Sequence, residues 1–121
     1  MTESSTTYVI LLPGDESAWE AASEEEKQAV YAVHQEFSEA LEARGHTITG
    51  GLELGPSREA RTLRTAADGS MTVTDGPYAE AAEQLTGFYV VESSNLDDLV
   101  EVCRILGRSE GAIEIRAKAA S

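Results

Sequence analysis

An imidazole is the side chain best suited to moving protons near neutral pH, and the sequence holds two, His34 and His46. His34 lies between Val30 and Phe37, on what reads as the apolar stripe of a helix. A proton-transferring imidazole needs a partner that orients it. The plainer role is a core-edge histidine hydrogen-bonded to backbone. Asp75 opens the segment Asp75-Gly76-Pro77-Tyr78 and could act as a general base. A carboxylate before Gly-Pro also forms turns by bonding its own backbone two residues on. Gly76 permits unusual dihedrals and Pro77 stiffens the exit. The two roles are compatible, because sites are often mounted on rigid loops. His34 and Asp75 are therefore the candidate catalytic pair.

Tyr78, Trp19 and Glu80 are candidate ligand-binding residues. Tyr78 could donate a hydrogen bond, and Trp19 could lid a pocket or pack over a helix. Glu80 with Glu83 could form a carboxylate pair on one short helix, although a solvated helix face is the simpler role for them. Arg58, Arg61 and Arg64 could hold a carboxylate ligand, but salt bridging to the many acids is the default. Cys103 falls on a core position and is expected to be inert. Two histidines and one cysteine give no metal-spaced cluster. No phosphate loop or dinucleotide fingerprint occurs, since Gly50-Gly51 lacks the strand-to-helix setting. No cofactor is expected.

These residues must be held by a small set of elements. Tyr8-Val9-Ile10-Leu11-Leu12, ended by Pro13-Gly14, predicts a central strand buried on both faces. A loop carrying Trp19 follows. Ser23 and Glu26 predict a capping box, opening a helix that runs to Arg44 with Gly45 as its left-handed stop. Its inner stripe is Val30, Val33, Phe37 and Leu41. A strand over residues 46–54 should point Ile48 and Leu52 inward, with a bulge or close approach at Gly50-Gly51. Residues 61–65 and 71–74 flank Asp68-Gly69 and predict a hairpin with a type I′ turn. A short helical stretch is expected over residues 79–84, then a buried strand at 87–91. Ser94-Asn95 caps a second helix with Leu96, Leu99, Val100, Cys103 and Leu106 inside. Ile113 and Ile115 face inward in a last strand. The order predicts an α+β fold: a ferredoxin-like β-α-β-β-α-β unit with an inserted β-hairpin and both helices on one sheet face. The other face then needs cover, and a homodimer packed sheet to sheet is the economical answer.

Composition bounds the partners. A single domain suits 121 residues, with 41% hydrophobic content. We expect a flexible tail over residues 1–6 and one domain over 7–118. The net charge is −13, with 9 Lys and Arg against 22 Asp and Glu. Nucleic acid and anionic membrane both require basic surface, so neither is an expected partner. No apolar run reaches membrane-span length. The polar start lacks a signal-peptide pattern, and the lone cysteine forms no intrachain disulfide, so the cytoplasm is the expected location.

Several segments carry a family resemblance. Leu11-Leu12-Pro13-Gly14-Asp15-Glu16, Ala18-Trp19 and Ser23 with its acidic followers resemble the opening of YCII-related domain proteins. Gly50-Gly51-Leu52-Glu53-Leu54 resembles their second strand, and Ile113-Glu114-Ile115-Arg116 their close. Thr74-Asp75-Gly76-Pro77-Tyr78-Ala79-Glu80, continued by residues 83–91, resembles the segment that names the DGPF subgroup. The resemblance implies a dimeric α+β barrel. Most members of that subgroup have no assigned activity, and many are encoded near extracytoplasmic-function sigma factors. One relative in the wider family is a dehydrochlorinase with a proposed His–Asp pair. The spacing from His34 to Gly45 resembles that of the family histidine to its helix-ending glycine, and the resemblance implies that His34 stands at the histidine position. The partner aspartate sits in an Asp-Pro near the end of the second helix. Here that stretch reads Leu106-Gly107-Arg108-Ser109, so the dyad is not expected to carry over. Tyr78 replaces a common Phe, and Ala81-Ala82 replace Thr-Lys. Two function classes follow: an enzyme transferring protons on a small aromatic or carbonyl compound, or a non-catalytic small-molecule-binding or regulatory module.

Overall fold

The computed structural model describes residues 4–120. Of the tail expected over residues 1–6, residues 1–3 lie outside that range, and Thr6 already pairs with Ser93 in the sheet. The strands are β1 (Thr6–Gly14), β2 (Thr47–Glu53), β3 (Arg61–Thr65), β4 (Met71–Asp75), β5 (Gln84–Ser93) and β6 (Glu114–Ala117). The helices are α1 (Glu16–Ala21), α2 (Glu24–Ala43) and α3 (Leu96–Cys103), with 3₁₀ turns at Ser57–Glu59 and Leu106–Arg108.

Four strands form one sheet in the order β2-β5-β1-β6, each neighbouring pair antiparallel. β5 separates β1 from β2, so the connection through α2 joins parallel strands that do not touch. The connection through α3 does the same for β5 and β6. The molecule is thus an α+β fold with a separate two-stranded ribbon, β3-β4. The sheet is open, and the single chain closes no barrel. Ile10, Leu12 and Val91 on one sheet face meet Phe37 and Leu41 of α2 and Leu99, Val102 and Cys103 of α3. Burial of these side chains is the main source of stability, at about 1.5–3 kcal/mol for each large one.

The capping box forms as predicted. Ser23 Oγ accepts the Glu26 N–H at 3.1 Å, and the Ser23 N–H donates to Glu26 Oε1 at 3.1 Å. Gly45 stops α2 with φ of 86°.

Six expectations are corrected. Trp19 lies on a helix, α1, whose N-cap Asp15 accepts the Ala18 N–H through Oδ1 at 3.2 Å. Six residues are too few to show a periodic stripe. Residues 79–84 form no helix. They are exposed up to Glu83, so no burial anchors a turn, and Gln84 Nε2 donates to the Ala79 carbonyl at 2.9 Å.

The β3-β4 hairpin forms, but not through a type I′ turn. Of Asp68 and Gly69, only Gly69 has positive φ, at 89°. Asp68 instead accepts the Ser70 N–H at 2.9 Å.

In β2 the bulge falls at Thr49, between Ile48 opposite Val91 and Gly50 opposite Val90. One extra residue reverses the alternation. Ile48 therefore shares a face with Val91, while Leu52, opposite Phe88, points to the other.

In α3 the inner stripe is Leu99, Val102 and Cys103, continued by Leu106, while Leu96 and Val100 are exposed. β1 is central in the sheet, as expected, yet within the chain only its Ile10 and Leu12 face is fully covered.

Candidate functional site

A cleft of about 1060 Å³ opens beside α2, at the β1 and β5 ends nearest α1. Trp19, Tyr31, His34, Glu53, Tyr89 and Glu110 line it. α1 makes one wall and is tied to the Ser57–Glu59 turn. Glu16 accepts the Ser57 N–H at 2.7 Å, and Glu20 pairs with Arg58. The Trp19 ring meets Tyr31 edge-on at 5.6 Å, with Lys27 Nζ over its face at 5.4 Å. The Tyr31 hydroxyl donates to the Glu53 carboxylate at 3.1 Å. Desolvation first, and then the Glu53 carboxylate, raise the Tyr31 hydroxyl above the usual phenol range.

His34 is the centre of the site. It projects from α2 one turn before Phe37, so the helix that buries Phe37 also fixes the imidazole at the cleft floor. Nε2 lies 3.0 Å from Glu110 Oε1, and Nδ1 lies 2.6 Å from Tyr89 Oη. The His34 and Glu110 side chains are only 19% and 14% exposed. In that setting a charge-assisted contact is worth more than on open surface. Glu110 is delivered by the chain leaving α3. Its N–H donates to the Leu106 carbonyl at 2.9 Å, and Arg108 pairs with Glu36 of α2 next door. Tyr89 comes from β5, where it packs on Phe37 at 5.2 Å between ring centres. Burial, and next the Glu110 charge, push its hydroxyl above the usual phenol range.

The sequence left open which carboxylate, if any, stands beside His34, and the structure puts Glu110 there. The stretch 106–109 indeed holds none, but Glu110, one residue further, reaches the ring. A search limited to aspartate before a proline passes over it. Tyr89 was also missed as a site residue, because its apolar neighbours mark it as a core strand position.

The other candidates fall elsewhere, except Trp19. Asp75 is 87% exposed at the end of β4, with Arg61 Nε at 3.5 Å, and does not line the His34 cleft. Tyr78 lines a separate hollow of about 320 Å³ with Leu11, Pro13 and Leu85. Leu12 borders the His34 cleft and Leu11 borders this hollow. His34 and Tyr78 thus border different hollows of the fold. Arg64 stacks over the Tyr78 ring at 5.4 Å and donates to its carbonyl at 2.6 Å. Glu80 is exposed in the same loop.

His46 has a structural setting of its own. It is 5% exposed, with Nδ1 2.8 Å from Ser93 Oγ and Nε2 2.7 Å from Asp98 Oδ2. Asp98 also pairs with Arg44. This network ties the end of α2 to the start of α3.

The fold and this cleft define an α+β domain with a histidine–carboxylate pair held between its first long helix and the segment before its last strand. The chain belongs to the YCII-related domain family, whose pattern matches residues 6–117. It is also similar to an uncharacterized protein of Rhizobium meliloti (strain 1021), at 36% identity over 116 residues. That match covers 90% of this chain and 89% of the relative. Among the described residues, no helix is long and apolar enough to cross a membrane.

Proposed function

We propose that this chain is an enzyme that transfers protons on a small aromatic or carbonyl compound bound in the His34 cleft. The observation that carries the proposal is the 3.0 Å contact between His34 Nε2 and Glu110 Oε1 inside a cleft of about 1060 Å³. A carboxylate behind an imidazole fixes its tautomer and stabilises the imidazolium that proton uptake creates. Trp19 and Tyr31 supply an aromatic wall suited to a flat compound. A small carbon acid tests the proposal: 5-nitrobenzisoxazole loses one C–H proton to a base and opens to a coloured phenolate. The wild-type protein is expected to accelerate this opening, and His34→Gln to abolish the acceleration. Equal rates for the two proteins would refute the proposal.

A second reading, a binding module without chemistry, draws on the fact that both His34 ring nitrogens already have partners within the chain. Ligand-dependent change in Trp19 fluorescence with no His34-dependent proton transfer would favour it. The resemblance of residues 74–80 to the DGPF segment attaches this reading to sigma-factor-linked regulation.

We also propose a ferredoxin-like unit that pairs into a dimeric barrel. The strand order β2-β5-β1-β6 and the two split crossovers support the unit. Val9, Leu11, Phe88, Val90 and Leu52 share the sheet face away from the helices, and Leu52 is 64% exposed. Light scattering should give twice the 12.9 kDa chain mass, and Leu52→Lys should shift it toward the monomer. A monomer in the wild type would refute the pairing.

A further inference from the structure

The proton bookkeeping at His34 points past the imidazole. Glu110 is a carboxylate acceptor, so in the neutral ring Nε2 carries the hydrogen and donates to Oε1 at 3.0 Å. Nδ1 is then the bare nitrogen. It faces the Tyr89 hydroxyl at 2.6 Å, a short distance for a hydroxyl donating to nitrogen. The basic lone pair of the site is therefore covered by a phenol that itself borders the cleft. Burial and the Glu110 charge keep that phenol protonated at neutral pH.

We propose that Tyr89 is the catalytic residue that exchanges the proton with the bound compound, with His34 and Glu110 behind it as a relay. This rests on the acid–base reading above. In the forward step, the C–H or O–H bond of the compound breaks and its proton bonds to Tyr89 Oη. The Oη–H bond breaks in the same step, and that proton bonds to His34 Nδ1. The electron pair stays on the compound, and the imidazolium is held against the Glu110 carboxylate. The return step runs the same bonds backward. The phenol is intact before and after, so no free phenolate is needed despite its raised ionisation range. No oxidant or further reactant is consumed.

Two measurements test the relay. The first is opening of 5-nitrobenzisoxazole by the wild type, Tyr89→Phe and His34→Gln. Phe at 89 keeps the ring and its packing on Phe37, so the fold is retained. Tyr89→Phe is expected to lower the rate roughly tenfold or more, as His34→Gln does. If Tyr89→Phe keeps the wild-type rate while His34→Gln loses it, the relay is overturned and the acid–base proposal stands. If neither variant differs from the wild type, or the wild type does not accelerate the probe, both are overturned. The second is nitrogen NMR of the His34 ring in the full chain at neutral pH. Protonated Nε2 with bare Nδ1, perturbed by Tyr89→Phe, is expected. A hydrogen on Nδ1 with bare Nε2 would overturn the relay whatever the kinetics show.

Discussion

Glu110 Oε1 stands 3.0 Å from His34 Nε2, although 76 positions separate the two residues. Two local devices make the contact. The Glu110 amide closes a turn onto the Leu106 carbonyl at 2.9 Å, and Arg108 pairs with Glu36, two residues along α2 from His34. The carboxylate is thus aimed by the exit from α3, and the imidazole by α2.

If Glu110 orients the ring and stabilises its charged form, Glu110→Gln should lower probe turnover by about tenfold or more while leaving the fold intact. The glutamine keeps the side-chain length and loses the charge. Rates of 5-nitrobenzisoxazole opening, with circular dichroism as a fold control, measure this. An unchanged rate would remove Glu110 from the site.

The Asp98 carboxyl is held below its ordinary value of 3.8, first by the hydrogen bond from His46 and also by Arg44. A lowered folded-state value means that the unfolded chain binds the proton more readily. The resulting stability is fully present above the unfolded value and is lost as pH falls through the folded one. Asp98→Asn should therefore be less stable than the wild type at neutral pH. Its stability should also fall less steeply from about pH 5 downward. Urea midpoints across that range test the slope.

Gly51 has φ of 147°, and a Cβ there would meet the Phe88 carbonyl oxygen at 2.6 Å. The obstacle is backbone in the middle of the β2-β5 ladder, which cannot swing aside. Gly51→Ala should cost about 2 kcal/mol or more. Gly107→Ala is the control, because nothing lies within 4 Å of its added Cβ. Comparable denaturation midpoints for the two variants would contradict this account.

Burial pushes the Cys103 thiol up to about 11. The thiolate is the reactive form, so the native protein should resist Ellman's reagent at mildly alkaline pH. One thiol should react promptly in denaturant. Fast labelling of the folded chain would show that α3 opens readily.

What was legible in the sequence was local. The Ser23–Glu26 cap, the stop at Gly45, the turn at Asp68-Gly69 and the Asn95 cap of α3 each depend on atoms within a few residues. The alternating strands and the inner stripe of α2 follow from periodicity, and His34 could be placed on that stripe for the same reason. Element signals failed where that locality failed. α1 and the 79–84 loop are too short for a pattern, and the extra residue at Thr49 reverses the faces of Ile48 and Leu52. The type of residue that could move a proton was thus decided by sequence. Its partners were not, because hydrogen bonds to Tyr89 and Glu110 arise only when β5 and the exit from α3 pack against α2. The separation of His34 from Tyr78 was likewise decided by tertiary structure, because α2 carries His34 to one hollow while the loop after β4 leaves Tyr78 beside another.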